Sequence, residues 1–479
     1  AGLNADLTSN KLRNYSFTVE GFLEEKLDFL ASAIQYQKDG KPSGSEATTR
    51  RVGVVGNINY SYDNRYYVDF AFRVDGSSQF GSDKKFAPFY SVGVGWNVER
   101  ENFMSNVIFI DRLKIRGSFG QTGSQKFNAY QAKAVYSYYL NDRYHQWIGA
   151  YQKALENTKL EWQKTNKWNV GVDMDMLKSR LNIVADIYLE KTSNLLSSLD
   201  LPYSNGFTSY VENVGKKENR GFELKTTVFL VRDTEKKVIW SVTGSLVHNR
   251  DRVVKLSPAL KEMYDKLLSE GGSLPNKILR EGDSENTIYA VHSLGIDPSN
   301  GRELFLKKNG EVSYSWDAND RVACGVSEPK YRGNFSTLLR WRDFSMNVSF
   351  AYRFGGQLYN STLVNKIENA DKRFNVDKRV FKERWQNPGE RTFFKGLKNE
   401  STTNATSRFV QDERTLTCQN IHLSYDWQNK EWLQKNLGIR TLTLSSDISD
   451  LFYKSSVKHE RGLSYPFSRR FSFSLSMWF

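Results

Sequence analysis

The residues of this chain best suited to acid–base, nucleophilic or metal chemistry are five histidines, at positions 145, 248, 292, 422 and 459, and two cysteines, Cys324 and Cys418. Their spacing supports no such chemistry. The sequence contains no H-E-x-x-H pair, no C-x-x-C pair, no G-x-S-x-G elbow and no phosphate-binding loop. As a catalytic base His422 would need a nucleophile beside it, and none can be named; a water-exposed histidine is the plainer reading. The two cysteines make no metal cluster, and one disulfide or two thiols are both open to them. The stretch "DPSNGRE" over residues 297–303 crowds oxygen ligands around a glycine. Its spacing is not that of an EF-hand, and Asp, Pro, Asn and Gly together favour a β-turn. Neither an enzyme activity nor a cofactor nor a metal is expected.

Binding is better provided for. The stretch "YSYYLNDRYHQWIGAY" places Tyr136, Tyr138, Tyr139, Tyr144, Trp147 and Tyr151 close together. Aromatic faces stack on sugar rings and on peptide side chains at small entropic cost. The same residues would equally serve as an interfacial girdle or pack on one another. The formal net charge of +14 suggests an anionic neighbour. By charge alone nucleic acid, lipopolysaccharide phosphates and an acidic substrate all qualify. The charges are scattered rather than blocked, so most, including Arg250, Arg252, Lys372 and Arg373, read as solvated surface, and no nucleic-acid partner is expected.

The elements that must position these residues are strands. In "YVDFAFRVD", Val68, Phe70, Phe72 and Val74 share one face; in "WNVGVDMDM", Trp168, Val170, Val172, Met174 and Met176 do; in "FSMNVSFAYRF", Phe344, Met346, Val348, Phe350, Tyr352 and Phe354 do. "FELKTTVFL" and "IHLSYDW" repeat the pattern, and "RRFSFSLSMWF" sets Phe471, Phe473, Leu475, Met477 and Phe479 against three serines. A period of two over such lengths belongs to strands. About fifteen of them are expected, most of about 9 to 14 residues, long for a globular protein. Tight turns are expected near residues 24–27, 62–65, 177–181, 232–237 and 341–343. Long connections are expected around 121–163, 197–219, 249–330, 356–410 and 451–468, with a helical turn near 428–437. The two sets alternate, so every long loop falls at one end. A soluble β-sandwich has no reason for that asymmetry, whereas an outer-membrane barrel does. No apolar run long enough for a transmembrane helix occurs, and "AGLNADLTSN" has neither the basic start nor the apolar core of a signal peptide. The expected fold is therefore all-β: a transmembrane up-and-down antiparallel β-barrel, with the serine face of the last strand toward the lumen.

Several stretches, in order, resemble the SusC/RagA group of TonB-dependent outer-membrane transporters of Bacteroidetes. They are "FRVDGSSQFG", "FAPFYSVGVGWNVERENF", "LKIRGSFGQTGSQ", "LENTKLEWQKTNKWNVGVDMDMLKSRLNIVADIYLEKTSNLL", "LPYSNGFTSYVENVGKKENRGFEL", "GIDPSNGRELF" and "YPFSRRFSFSLSMWF". The stretch "SDISDLFYKSSVKHERGLSYP" departs from the group in lacking an Asp-Pro-Glu-like element in the last loop. The resemblance implies that residues 1–479 are the later part of a barrel of about 22 strands, with the plug, TonB-contacting segment and N-terminal domain outside this chain. It implies uptake of a large nutrient, a glycan or an oligopeptide, with a SusD-like lipoprotein lid and the TonB complex as partners. A dimer of transporter–lipoprotein pairs, and contact with outer-membrane lipid and lipopolysaccharide, come with it. A passive pore or an adhesin-like barrel is the alternative. The apolar face of the last strand, Phe471 to Phe479, also resembles the signal by which barrels are received for membrane insertion.

Overall fold

The computed structural model describes the chain apart from residues 25, 27, 28, 39, 125–127, 202, 208, 214, 429 and 459–467, with the backbone alone described at 140–143 and 200. Fourteen strands form one sheet in which each pairs with the next. They are β1 (Gly2–Ser16), β2 (Ser43–Tyr62), β3 (Tyr66–Ser77), β4 (Phe86–Asn97), β5 (Ile110–Ser124), β6 (Gln163–Met176), β7 (Leu181–Ser193), β8 (Gly215–Asp233), β9 (Val238–Leu256), β10 (Tyr331–Trp341), β11 (Phe344–Tyr359), β12 (Val410–Gln428), β13 (Thr441–Ser455) and β14 (Arg470–Trp478). The sheet is an antiparallel meander, and β1 and β14 are its two edges.

The pairing register carries one apolar face across the whole sheet, because directly opposed residues point the same way. Val68 faces Tyr60 and Val94; Met174 faces Leu113 and Ile183; Leu444 faces Tyr425 and Leu475. These side chains are not covered: Val94, Val170, Ile187 and Phe473 are 52%, 59%, 69% and 77% exposed. An apolar surface of this extent is a lipid-facing surface. Aromatic residues band it at both ends. At the turn end Tyr62, Tyr66 and Trp96 oppose one another in series, and Tyr425 lies 4.6 Å from Trp427. At the loop end Tyr90, Phe119 and Trp168 follow at 5.8 and 5.2 Å. There too Phe222, His248, Tyr331 and Phe354 form a row with 5.5, 5.0 and 5.2 Å between rings. In β11 the bands run from Phe344 to Phe354, about the 9 to 11 residues a tilted strand needs to cross a bilayer.

The four shortest connections, 63–65, 177–180, 234–237 and 342–343, lie at one end. Non-glycine residues take positive φ there, among them Asp63 at 51°, Asn64 at 50° and Arg342 at 53°, the backbone that lets a short hairpin follow the strand twist. Two further connections at this end are longer. Residues 98–109 hold two 3-10 turns, and 429–440 hold the expected helical element, Glu431–Leu437. Gly438, at φ 69°, closes that helix with its N–H on the carbonyls of Leu433 and Gln434. β14 returns to this rim, where Trp478 pairs with Thr441.

One expected turn is misplaced. β1 pairs with β2 over its full length, from Gly2↔Asn57 to Ser16↔Ser43. Residues 17–42 therefore join them at the loop end, and the stretch 24–27 is not a rim turn; positions 25 and 27 lie outside the described residues. β2 is paired directly with β1, which leaves no room for another strand between them. Arg250 and Arg252, expected in a loop, extend β9, which continues to Leu256.

The buried apolar clusters sit at the loop end, not behind the membrane face of the sheet. Val364, Ile367, Val380, Phe394 and Phe409 form one. Leu199, Val253, Leu256 and Leu260 form a second, and Leu268, Ile278 and Tyr289 a third. The long connections are thus folded bodies standing on the barrel wall.

Candidate functional site

Across the sheet from the lipid face, the strands carry a polar wall. Two clusters on it share a design. Arg116 of β5 and Asp186 of β7 both oppose Gly171 of β6. A Cβ at Gly171 would strike both side chains. Without one, Arg116 reaches over to Asp186 at 2.7 Å while holding Asp173 at 3.1 Å. At the first edge Asp6, Gly53 and Asp75 oppose one another on β1, β2 and β3. Arg73 lies over Gly53 and holds Asp75 at 2.7 Å and Asp6 at 2.5 Å. These pairs cross-link strands on the water side, each arginine crossing the middle strand over a glycine. His422 also lies on this wall, its Nδ1 2.8 Å from Asp447 Oδ1, as befits a solvated histidine with a carboxylate partner. Cys324 and Cys418 are both free, Cys324 on the short strand Arg321–Val326 within the connection 257–330 and Cys418 on β12. Burial pushes the Cys324 thiol up.

The six aromatics expected at an outer loop lie on a hairpin, Val135–Tyr144 paired with Trp147–Ala154, within the connection between β5 and β6. They are exposed, from Tyr151 at 44% to Tyr144 at 78%. Tyr139 and Tyr151 contact each other at 4.9 Å, so part of the set packs on itself.

The connections 257–330 and 360–409 are built into one platform. The helix Pro258–Ser269 is capped by Ser257, whose side chain accepts from the Leu260 N–H. Its last carbonyls, on Leu267 and Leu268, accept from the buried Arg321 guanidinium at 3.3 and 3.0 Å. The "DPSNGRE" stretch is a turn, as expected: the Gly301 N–H donates to the Asp297 carbonyl at 2.8 Å, and the Asp297 carboxylate accepts from the Ser299 N–H at 2.8 Å. Among the described residues no group of three or more His, Cys, Asp or Glu could hold a metal. Gly301 has φ 68° and lies under the Trp385 ring, which a Cβ would strike. Trp385 Nε1 donates to the Pro298 carbonyl at 2.8 Å, so this turn docks one long connection on the other.

Beneath the turn Arg408 holds Glu303 at 2.7 Å and Glu368 at 2.8 Å, all three side chains almost fully buried. Burial alone would lower the Arg408 pKa; the two carboxylates more than reverse that and hold the guanidinium above its ordinary value. Two cavities, of about 580 and 360 Å3, flank residues 395–402. Arg302, Arg384, Lys395 and Lys398 line them. Of the basic residues singled out from sequence, Lys372 and Arg373 line the smaller cavity. Arg373 is tied to Asp371 at 2.6 Å and Lys372 lies 3.8 Å from Glu400. Arg302, Arg384, Lys395 and Arg408 carry no pattern in the sequence beyond the "GRE" of the turn motif, which contains Arg302 and Glu303.

Residues 3–445 match the family described as TonB dependent receptor-like, beta-barrel. The TonB-dependent receptor P39 of Formosa agariphila is 26% identical over 464 residues, covering 86% of this chain and 43% of that protein. The TonB-dependent receptor SusC of Bacteroides thetaiotaomicron is 26% identical over 403 residues, covering 81% of this chain and 39% of SusC. The RagAB peptide transporter structure shares the fold, with a TM-score of 0.81 at 23% identity over 99% of this chain and 53% of that chain. The likeness to SusC and RagA expected from the ordered motifs is thereby met, and the chain spans less than half the length of the curated relatives it matches. A lipid-facing, doubly girdled sheet is an outer-membrane structure, and the relatives are receptors rather than enzymes. On the match over residues 3–445, the chain belongs to the TonB-dependent receptor-like β-barrel family.

Proposed function

We propose that this chain is the later part of the barrel of a TonB-dependent outer-membrane importer of a large nutrient, a glycan or an oligopeptide. The observation that carries the reading is the contrast between the two faces of the sheet. One is apolar and girdled; the other is a polar wall cross-linked by Arg116 and Arg73. That contrast suits a wide aqueous lumen. Strands β1 and β14 each leave one edge unpaired by any strand of this sheet. Open edges are costly in lipid, which supports further strands of the same protein closing the barrel. A plug and a TonB-contacting segment belong, on this reading, to that remainder.

The folded outer platform supports docking of a SusD-like lipoprotein lid, and two such transporter–lipoprotein pairs would associate as a dimer. The exposed hairpin aromatics Tyr136, Tyr138, Tyr144 and Trp147 would contact lid or cargo, with Tyr139 and Tyr151 shaping the hairpin. Phe471, Phe473, Leu475, Met477 and Phe479 would face lipid and serve the insertion machinery as a docking strand. The test is uptake of labelled oligosaccharides and oligopeptides by cells carrying the full-length protein. Uptake should cease when a protonophore collapses the proton-motive force. Uptake that persists would identify a passive pore.

A further inference from the structure

We propose that the larger outer-platform cavity, between the turn at residues 297–302 and the segment 395–404, is a binding site for an acidic oligosaccharide, one bearing carboxylate or sulfate groups. The inference rests on the importer reading and deepens it. Three observations carry it.

The first is a surplus of positive charge. Glu303, the carboxylate in the lining of this cavity, is paired with Arg408. Among the described residues no carboxylate forms an ion pair with the three cations that line this cavity, Arg302, Lys395 and Lys398; against them stands Asp297 of the turn, whose carboxylate accepts from the Tyr314 hydroxyl and the Ser299 N–H. Lys395 is buried and donates to the Ser401 carbonyl. Cations left without counter-charge around a concave site concentrate anions there. The second observation is pre-organisation. The Arg302 guanidinium lies 4.5 Å from the centre of the Tyr314 ring, and the Tyr314 hydroxyl is fixed by Asn300 at 3.0 Å and by Asp297. A stacked guanidinium presents its donor fork to a carboxylate or sulfate with little ordering cost. The third is the remaining lining. Asn399, Ser401, Thr402 and Asn404 supply amides and hydroxyls, which donate to and accept from sugar hydroxyls, and the volume of about 580 Å3 suits a few sugar rings. A peptide-selective site would need apolar side-chain pockets, and this lining is mostly polar.

The experiment is equilibrium binding to the full-length protein, with any copurifying lipoprotein, in detergent. The probes are a hexauronate, a sulfated hexasaccharide, a neutral hexasaccharide and hexaglutamate. The double variant Arg302→Gln/Lys398→Gln alters two exposed side chains and leaves the Arg408 cluster intact. The charged saccharides should bind, more weakly at higher salt, and the double variant should lose about tenfold or more in affinity. The neutral saccharide should bind at least about tenfold more weakly than the charged ones. Equal affinity for neutral and charged saccharides, unchanged binding in the variant, absence of saccharide binding, or selective binding of hexaglutamate would each overturn the assignment. Binding in detergent requires no energised membrane, so its failure is distinct from failure of the importer reading, which protonophore-sensitive uptake decides.

Discussion

At the scale of single residues, the outer platform depends on a few side chains that cannot be exchanged. Arg408 neutralises two buried carboxylates at once. Replacing it with alanine leaves Glu303 and Glu368 buried without a counter-ion, a loss of about 3–5 kcal/mol for such a site. That loss should appear as collapse of hydrogen-exchange protection over Thr287–Ile296, with the strands of the barrel unchanged. Gly301→Ala forces a Cβ into the Trp385 ring at a positive φ. It should destabilise the docking of the two connections by about 1–3 kcal/mol, read as faster proteolysis between residues 360 and 409. Little of this was legible in the sequence. Arg408 and Glu303 stand 105 positions apart, and neither belongs to a periodic pattern that would mark it as buried. The turn residues 297–301 were legible, because Asp, Pro, Asn and Gly act locally.

At the scale of elements, the strands could be read because a period of two is local and each lipid-facing strand repeats it. Residue direction followed directly: Val170 and Ile187 point outward together because they are paired. Ile187→Arg should cost about 2–4 kcal/mol in a bilayer, measured by denaturant unfolding in lipid vesicles. Asn169→Arg, on the lumen side of the neighbouring strand, should cost far less. The turn expected near residues 24–27 lies instead within the connection at the loop end, because β1 pairs with β2. Connection length and polarity do not reveal which end of a barrel a segment occupies until pairing is known. The outer connections respond to acid through depressed carboxyls. Arg373 holds the Asp371 carboxyl at about 2, from an ordinary 3.8. The Tyr314 hydroxyl, then the Ser299 N–H, hold Asp297 below its ordinary value. Depressed carboxyls stabilise the fold fully above the unfolded pKa and lose that contribution as pH falls through the folded one. Between about pH 4 and 2 the platform should lose these contributions and loosen. Pepsin cuts, normalised to an unfolded substrate, should then concentrate in 257–330 and 360–409.

At the scale of the whole molecule, the importer proposal requires that the apolar face meet lipid, the tight turns lie on the periplasmic side and the platform lie outside the cell. The measurement that tests it most directly is labelling of single cysteines on intact cells with a membrane-impermeant maleimide, in a Cys324→Ser/Cys418→Ser background. Asn64→Cys and Lys236→Cys probe the tight turns; Ser315→Cys and Lys398→Cys probe the platform. The platform positions should label on intact cells and the turn positions only after the outer membrane is permeabilised. Labelling of the turn positions on intact cells, with the platform protected, would contradict the importer proposal.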